Sequence, residues 1–190
     1  LYRRTLLEQW EAAFPEGVVY EEPYFVYPLL FEARRFYSME EGLYFYRRTG
    51  QSVTAQHMNE KNTLCDHPFV QLELLKKLIS HKNYIQEYYS EIEIHFLHSY
   101  YMETLYFAGV DSKFLGIDYF RNMQKMVLDL FPEYEENPYL KLEGFAKLRT
   151  VMLSVKEDFT QEQLERYCRQ VVEIMEEKKR QPENFMEEKK

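Results

Sequence analysis

Within residues 47–54, Arg47-Arg48-Thr49-Gly50-Gln51-Ser52-Val53-Thr54, two guanidinium groups, three hydroxyls and a glycine lie close together. Guanidinium forks and hydroxyls suit a diphosphate, and Gly50 permits a tight backbone turn around one. The same residues make a hairpin end with solvated arginines equally well. In a strand Arg47 and Arg48 point to opposite faces, so only one of them could meet a ligand. A second group is the acidic pair Glu21-Glu22, just ahead of Pro23. Carboxylates at a helix start complement the positive end of the helix dipole, worth about 0.3–1 kcal/mol. On those two residues alone, that structural role is the favoured reading. His57 reads as an ordinary polar side chain. Cys65-Asp66-His67 looks like a metal cluster, but Asp66 serves better as a helix cap. His95 and His98 share a helix face with no carboxylate to complete a site.

The elements that must position these residues change character near residue 60. Before it every basic residue is Arg, and Lys first appears at Lys61. The opening third holds the short stretches that could be strands: Val18-Val19-Tyr20, Arg35-Phe36-Tyr37 and residues 43–46, all rich in β-branched and aromatic residues. Between them residues 22–33 read as a helix with Pro23 in its first turn, a place where the missing N–H costs nothing. Pro28 should shorten or kink it. After residue 65 the pattern is helical. Asp66 is expected to cap a helix to about Ser80 whose apolar face is Phe69, Leu72, Leu75 and Ile79. Residues 84–107 read as one long helix with two apolar stripes, ended by Gly109. One stripe is Ile85, Tyr89, Ile92, Phe96 and Tyr100; the other is Ile94, Leu97, Tyr101 and Leu105. Further helices are expected at 116–131, stopped by Pro132, and at 138–155. A last one opens on the Thr160/Gln163 capping box and runs to about Arg180.

Composition sets the limits. The chain has 190 residues, 45% hydrophobic and 17% aromatic, with only 6 Gly and 7 Pro. That excludes collagen-like and low-complexity classes and favours helix over a many-stranded sandwich. With 24 Lys+Arg against 32 Asp+Glu the net charge is −8, so no basic excess is present to displace counterions from nucleic acid. Cys65 and Cys168 are far apart and lack C-x-x-C spacing, which points to a reducing compartment. No apolar run approaches the roughly 20 residues that cross a bilayer. The chain begins at Leu1 rather than Met, and a piece of a longer chain is the expectation.

Four blocks in residues 1–54 closely resemble the acceptor-side half of family-2 glycosyltransferases, of the kind that builds bacterial cell-surface polysaccharide. They are LYRRTLL at 1–7, FPEGVVYEE at 14–22, the helix-to-strand step at 33–36, and LYFYRRTGQSVT at 43–54. They stand in the family's order and spacing. The resemblance implies residues 1–58 as the remnant of a nucleotide-sugar-binding GT-A α/β sheet with its acceptor-side helix; the residue pattern beyond it gives 59–182 as a helical, bundle-like extension and 183–190 as a frayed charged tail, so the expected architecture is mainly α (α+β). It implies inverting transfer of a sugar from a nucleotide-sugar to a glycan or lipid-linked acceptor.

Glu22 stands where the family has its catalytic base, and usually as Asp; the extra methylene moves the carboxylate outward by about a bond length. Glu21 would orient the loop or touch acceptor hydroxyls, while Arg47, Arg48 and Ser52 would contact donor phosphate or acceptor. The family binds Mn or Mg through Asp-x-Asp. None of the five aspartates here, Asp66, Asp111, Asp118, Asp129 and Asp158, forms that motif. The metal is therefore expected with the donor-binding half, and this chain alone is expected to be inactive. A cytoplasmic setting is expected, with peripheral association at the inner membrane face and a homodimer as further expectations and no nucleic-acid partner. The rival reading is a helical interaction or dimerisation module with its family-like portion idle.

Overall fold

Helix dominates the computed structural model, which describes residues 2–35, 37–47, 49, 66–80, 84–111 and 115–177. No strand forms among the described residues. The expected strands at 18–20 and 43–46 are irregular, as are Arg35 and Tyr37 on either side of residue 36, which lies outside the described residues. The physical reason is that a strand is stabilised by its neighbours, and among the described residues no strand lies alongside these segments. The expected boundary at 58/59 and the tail at 183–190 also lie outside the described residues. Two compact units are present, Leu1–Ile92 and Glu93–Lys190.

The first unit contains α1 (Arg4–Gln9), α2 (Glu22–Glu32), α3 (Asp66–Ser80) and α4 (Tyr84–Glu87). Aromatic rings hold it together. Trp10 is buried and stacks on Tyr84 with centroids 5.8 Å apart. Phe31 also leans on Tyr84, whose hydroxyl donates to the Glu32 carboxylate. Phe14 stacks on Phe25 at 4.3 Å, with Tyr2 edge-on to the same ring. Pro28 sits inside α2, buried, without ending it. Helix α2 packs against α3, which buries Leu75 of the expected face but not the whole of that face. His67, Pro68, Val70, Gln71, Leu74, Leu75 and Leu78 turn inward, while Phe69 and Ile79 are exposed. Both stripes recur at helical spacing, and the packing partner decides between them.

The expected single helix over 84–107 is instead four pieces. After α4 a bend at Tyr88 leads into α5 (Tyr89–Phe96), then a π-helical segment (Leu97–Met102), then α6 (Glu103–Asp111). The π-helical segment inserts an extra residue into the turn, and both Tyr100 and Tyr101 are buried there. Gly109 does not end α6. It lies within that helix, where the backbone passes directly against α9 (Gln161–Glu176), beside the Cys168 carbonyl and Val172.

Helix α7 (Ile117–Leu130) stops just short of Pro132, as its sequence signals indicate. The helix expected over 138–155 breaks into 3₁₀ turns at Pro138–Lys141 and Glu143–Phe145, then α8 (Ala146–Met152), then a 3₁₀ turn at Leu153–Lys156. Leu142 is extended between the first two turns, which interrupts the helical ladder. Helix α9 opens on the Thr160/Gln163 capping box, with both reciprocal bonds present.

Leu97, Tyr101, Leu105, Phe120, Val151 and Leu164 form the centre of this second unit. Its buried polar groups are bridged: the Tyr101 hydroxyl lies 3.0 Å from Ser154 Oγ, and Gln124 Nε2 donates to the carbonyls of Ser154 and Glu157.

Candidate functional site

The turn into α2 carries the acidic pair. Gly17 and Tyr20 hold φ of 77° and 65°. Glycine does this freely; for a residue with a Cβ the left-handed region costs about 1–2 kcal/mol. The first turn of α3 braces this strained position. Asp66, the expected cap, is instead the first helical residue, and its Oδ2 accepts from the Val19 N–H at 3.4 Å. Beside it, the His67 imidazole meets the Tyr20 ring edge to face with centroids 5.3 Å apart.

Glu21 follows Tyr20 at the helix cap position, half-buried, with no side-chain bond to the helix backbone. Glu22 is the first helical residue and is exposed. Neither carboxylate makes a hydrogen bond or ion pair among the described residues, so both remain open to an incoming hydroxyl.

Arg47 is exposed in an irregular segment and is joined to neither glutamate. Arg48, Ser52, His57 and Cys65 lie outside the described residues. The acidic pair sits on one braced turn, and Arg47, the one phosphate-binding candidate among the described residues, is not brought to it.

The second unit offers less chemistry. A cleft of about 190 Å³ is lined by Tyr134, Leu140, Met152 and Leu153, with Glu135, Lys141 and Arg149 at its rim. Arg149 donates to the Leu140 carbonyl, and Glu135 pairs with Lys156 at 2.8 Å. This volume is below the roughly 300–1,000 Å³ of ordinary small-molecule sites. Burial pushes the Cys168 thiol up to about 12, so it is no nucleophile near neutrality. Burial likewise pushes the Tyr100 and Tyr134 phenols up to about 12, which keeps them neutral. His98 Nδ1 lies 3.7 Å from Glu103 Oε1. Among the described residues no group of three or more His, Cys, Asp or Glu side chains could hold a metal ion, and no helix is long and apolar enough to cross a membrane.

A buried polar pair escapes sequence reasoning. Glu93 is 2% exposed, its Oε2 accepts from Asn137 Nδ2 at 2.6 Å, and its Oε1 has no partner. Burial raises the Glu93 carboxyl, and the Asn137 bond partly offsets that. Asn137 also accepts from the Tyr139 N–H at 2.9 Å. The Asn137-Pro138 dipeptide signals such a cap. Glu93, set between Ile92 and Ile94, gives no sign of its burial. The strain at Tyr20 likewise has no local signal, because Tyr is an unusual choice for positive φ.

Comparison of the chain with protein families, characterised proteins and solved structures gives no match.

Proposed function

We propose that this chain supplies the acceptor side of an inverting glycosyltransferase, with Glu22 as general base. The observation that carries the reading is the FPEGVVYEE block, which ends in the acidic pair on the strained, braced turn that opens α2. Strained backbone is found disproportionately at functional sites. In the reaction, the Glu22 carboxylate takes the proton of the acceptor hydroxyl while that oxygen bonds to the anomeric carbon. The anomeric bond to the nucleoside diphosphate breaks, and its electron pair leaves on the diphosphate. Arg47, Arg48 and Ser52 would contact that leaving group, and Glu21 the other acceptor hydroxyls. Residues 18–20, 35–37 and 43–46 would become strands of the catalytic sheet once its other strands lie alongside.

The family's Mn or Mg does not fit the described residues. They provide no acidic ligand cluster, and the sequence has no Asp-x-Asp. On this reading the donor and any ion would be held by a nucleotide-sugar-binding half of a longer protein. The test is sugar transfer from a panel of nucleotide sugars by the protein carrying that half. Glu22→Gln should lower turnover by about 100-fold or more, and unchanged turnover removes Glu22 from the mechanism.

A second reading, a helical interaction or dimerisation module with idle family-like residues, is favoured by the exposed aromatic segment at 37–46. Calorimetry separates the two: nucleotide sugar with Mn binds the longer protein under the first reading and not under the second.

A further inference from the structure

Residues 37–47 leave the helical body with no partner of their own. Leu43, Tyr44, Phe45 and Tyr46 are 73%, 84%, 91% and 65% exposed, and Tyr37 is 89% exposed. Among the described residues, neither backbone nor side-chain groups of this segment form a hydrogen bond, ion pair or ring contact. Four adjacent large apolar side chains in water, on backbone with unpaired N–H and C=O groups, form a template for strand addition.

The order of residues says what adds to it. Glu41-Gly42-Leu43-Tyr44-Phe45-Tyr46-Arg47 carries an acid at one end, a base at the other and an apolar centre. Laid antiparallel on a second copy of itself about Tyr44, the segment is self-complementary. Glu41 faces Arg47 of the second copy, Leu43 faces Phe45, and two-fold symmetry repeats both pairs. These four positions alternate along the strand and so share one face. On the other face Tyr44 meets its own counterpart and Tyr46 covers Gly42, where there is open space. Slid into a parallel, in-register arrangement, the same segment sets Glu41 on Glu41 and Arg47 on Arg47, which repel. Charge selects one orientation and apolar area drives the pairing.

We infer that residues 41–47 form a two-fold, antiparallel strand-addition interface with a second copy of this chain, centred on Tyr44. The inference rests on the dimerisation reading and gives it a partner and a register: residues 43–46 pair with a second copy rather than with strands of a catalytic sheet. A chain that dimerises in this way and transfers no sugar leaves it intact; a chain that transfers sugar without dimerising sinks it alone. A ribbon of this length is small, so the pairing is reversible and concentration-dependent.

The experiment is sedimentation velocity over a concentration series, on the wild-type chain and three charge variants. Glu41→Arg and Arg47→Glu should each raise the dissociation constant about tenfold or more, because each places like charges opposite one another twice per dimer. The double variant Glu41→Arg/Arg47→Glu should restore wild-type pairing. Both side chains are exposed and make no contact, so folding is not at risk.

A second measurement fixes the register. In a Cys65→Ser background Tyr44→Cys should cross-link on mild oxidation, because opposed Cα atoms in an antiparallel ladder are about 4.5–5.5 Å apart, within disulfide reach. Tyr37→Cys should not, since the register holds the two copies of residue 37 tens of ångströms apart, at roughly 3.3 Å per residue. A monomer at every concentration, single charge variants that dimerise like the wild type, or equal cross-linking at the two cysteine positions would each overturn the inference.

Discussion

Gly109 and Cys168 are in backbone contact: a Cβ built at Gly109 would stand 2.6 Å from Val172 Cγ2 and closer still to the Cys168 carbonyl oxygen. Two helices meet there with nothing between them, and that closeness organises the second unit.

Gly109→Ala tests the contact. Alanine would add about 1 kcal/mol of intrinsic helix preference. Overpacking against rigid backbone costs about 1–3 kcal/mol and more where the backbone must move. The clash is expected to win, lowering the urea midpoint; a midpoint at or above wild type would show that α6 and α9 can separate freely.

Glu93 makes stability depend on pH in a defined direction. Its carboxyl is raised above the ordinary 4.5 by burial, so the folded chain holds the proton more tightly than the unfolded one. That contribution is fully present below the unfolded value and is lost as pH rises through the folded value. Glu93→Gln removes the titration. Relative to wild type, the Gln variant should gain stability on going from about pH 4 to pH 7, as read by paired denaturation curves. A gap that does not change with pH would mean that the carboxyl ionises in the fold as easily as in water.

Asn137 serves two groups at once, Glu93 Oε2 and the Tyr139 N–H. Asn137→Ala leaves the buried carboxyl with no partner from this residue and removes the cap, for an expected loss of about 2–4 kcal/mol. Denaturation at pH 7 measures it, and a loss under about 1 kcal/mol would show that other groups replace both bonds.

Thr160→Ala removes one half of the box that opens α9 and should cost about 1 kcal/mol. The same variant with Gln163→Ala should cost less than the sum of the two single changes, because the two side chains share one arrangement.

Cys168 is buried and its thiol is pushed up to about 12. In a Cys65→Ser background, labelling by a thiol reagent at neutral pH should follow the unfolding rate and accelerate in urea. Rapid labelling of the native chain would show that α9 opens locally at Cys168.

What could be read from the residues alone was whatever their near neighbours decide. Thr160 and Gln163 satisfy each other within one turn, and Pro23 and Pro132 act on the adjacent residue, so those helix ends were legible. The face of α3 was not: Phe69 and Ile79 lie on a stripe as regular as Val70, Leu74 and Leu78, and only the helix packed alongside selects between them. Gly109 looks like a helix stop in sequence because its real reason, the Cys168 carbonyl, lies far along the chain. The acidic pair at Glu21-Glu22 was legible through the helix start that Pro23 marks. The braced turn beneath it was not, since Asp66 and His67 reach it from another helix.

The π-helical segment Leu97–Met102 sets the rotational phase of everything that follows it. Each α-helical residue advances the side-chain direction by about 100°, so the inserted residue re-clocks α6 by that angle relative to a regular helix. Winding the same residues as regular α-helix would turn Gly109 away from the Cys168 carbonyl and present a neighbour with a side chain there. The fit between α6 and α9 is therefore set by the turn that leads into α6.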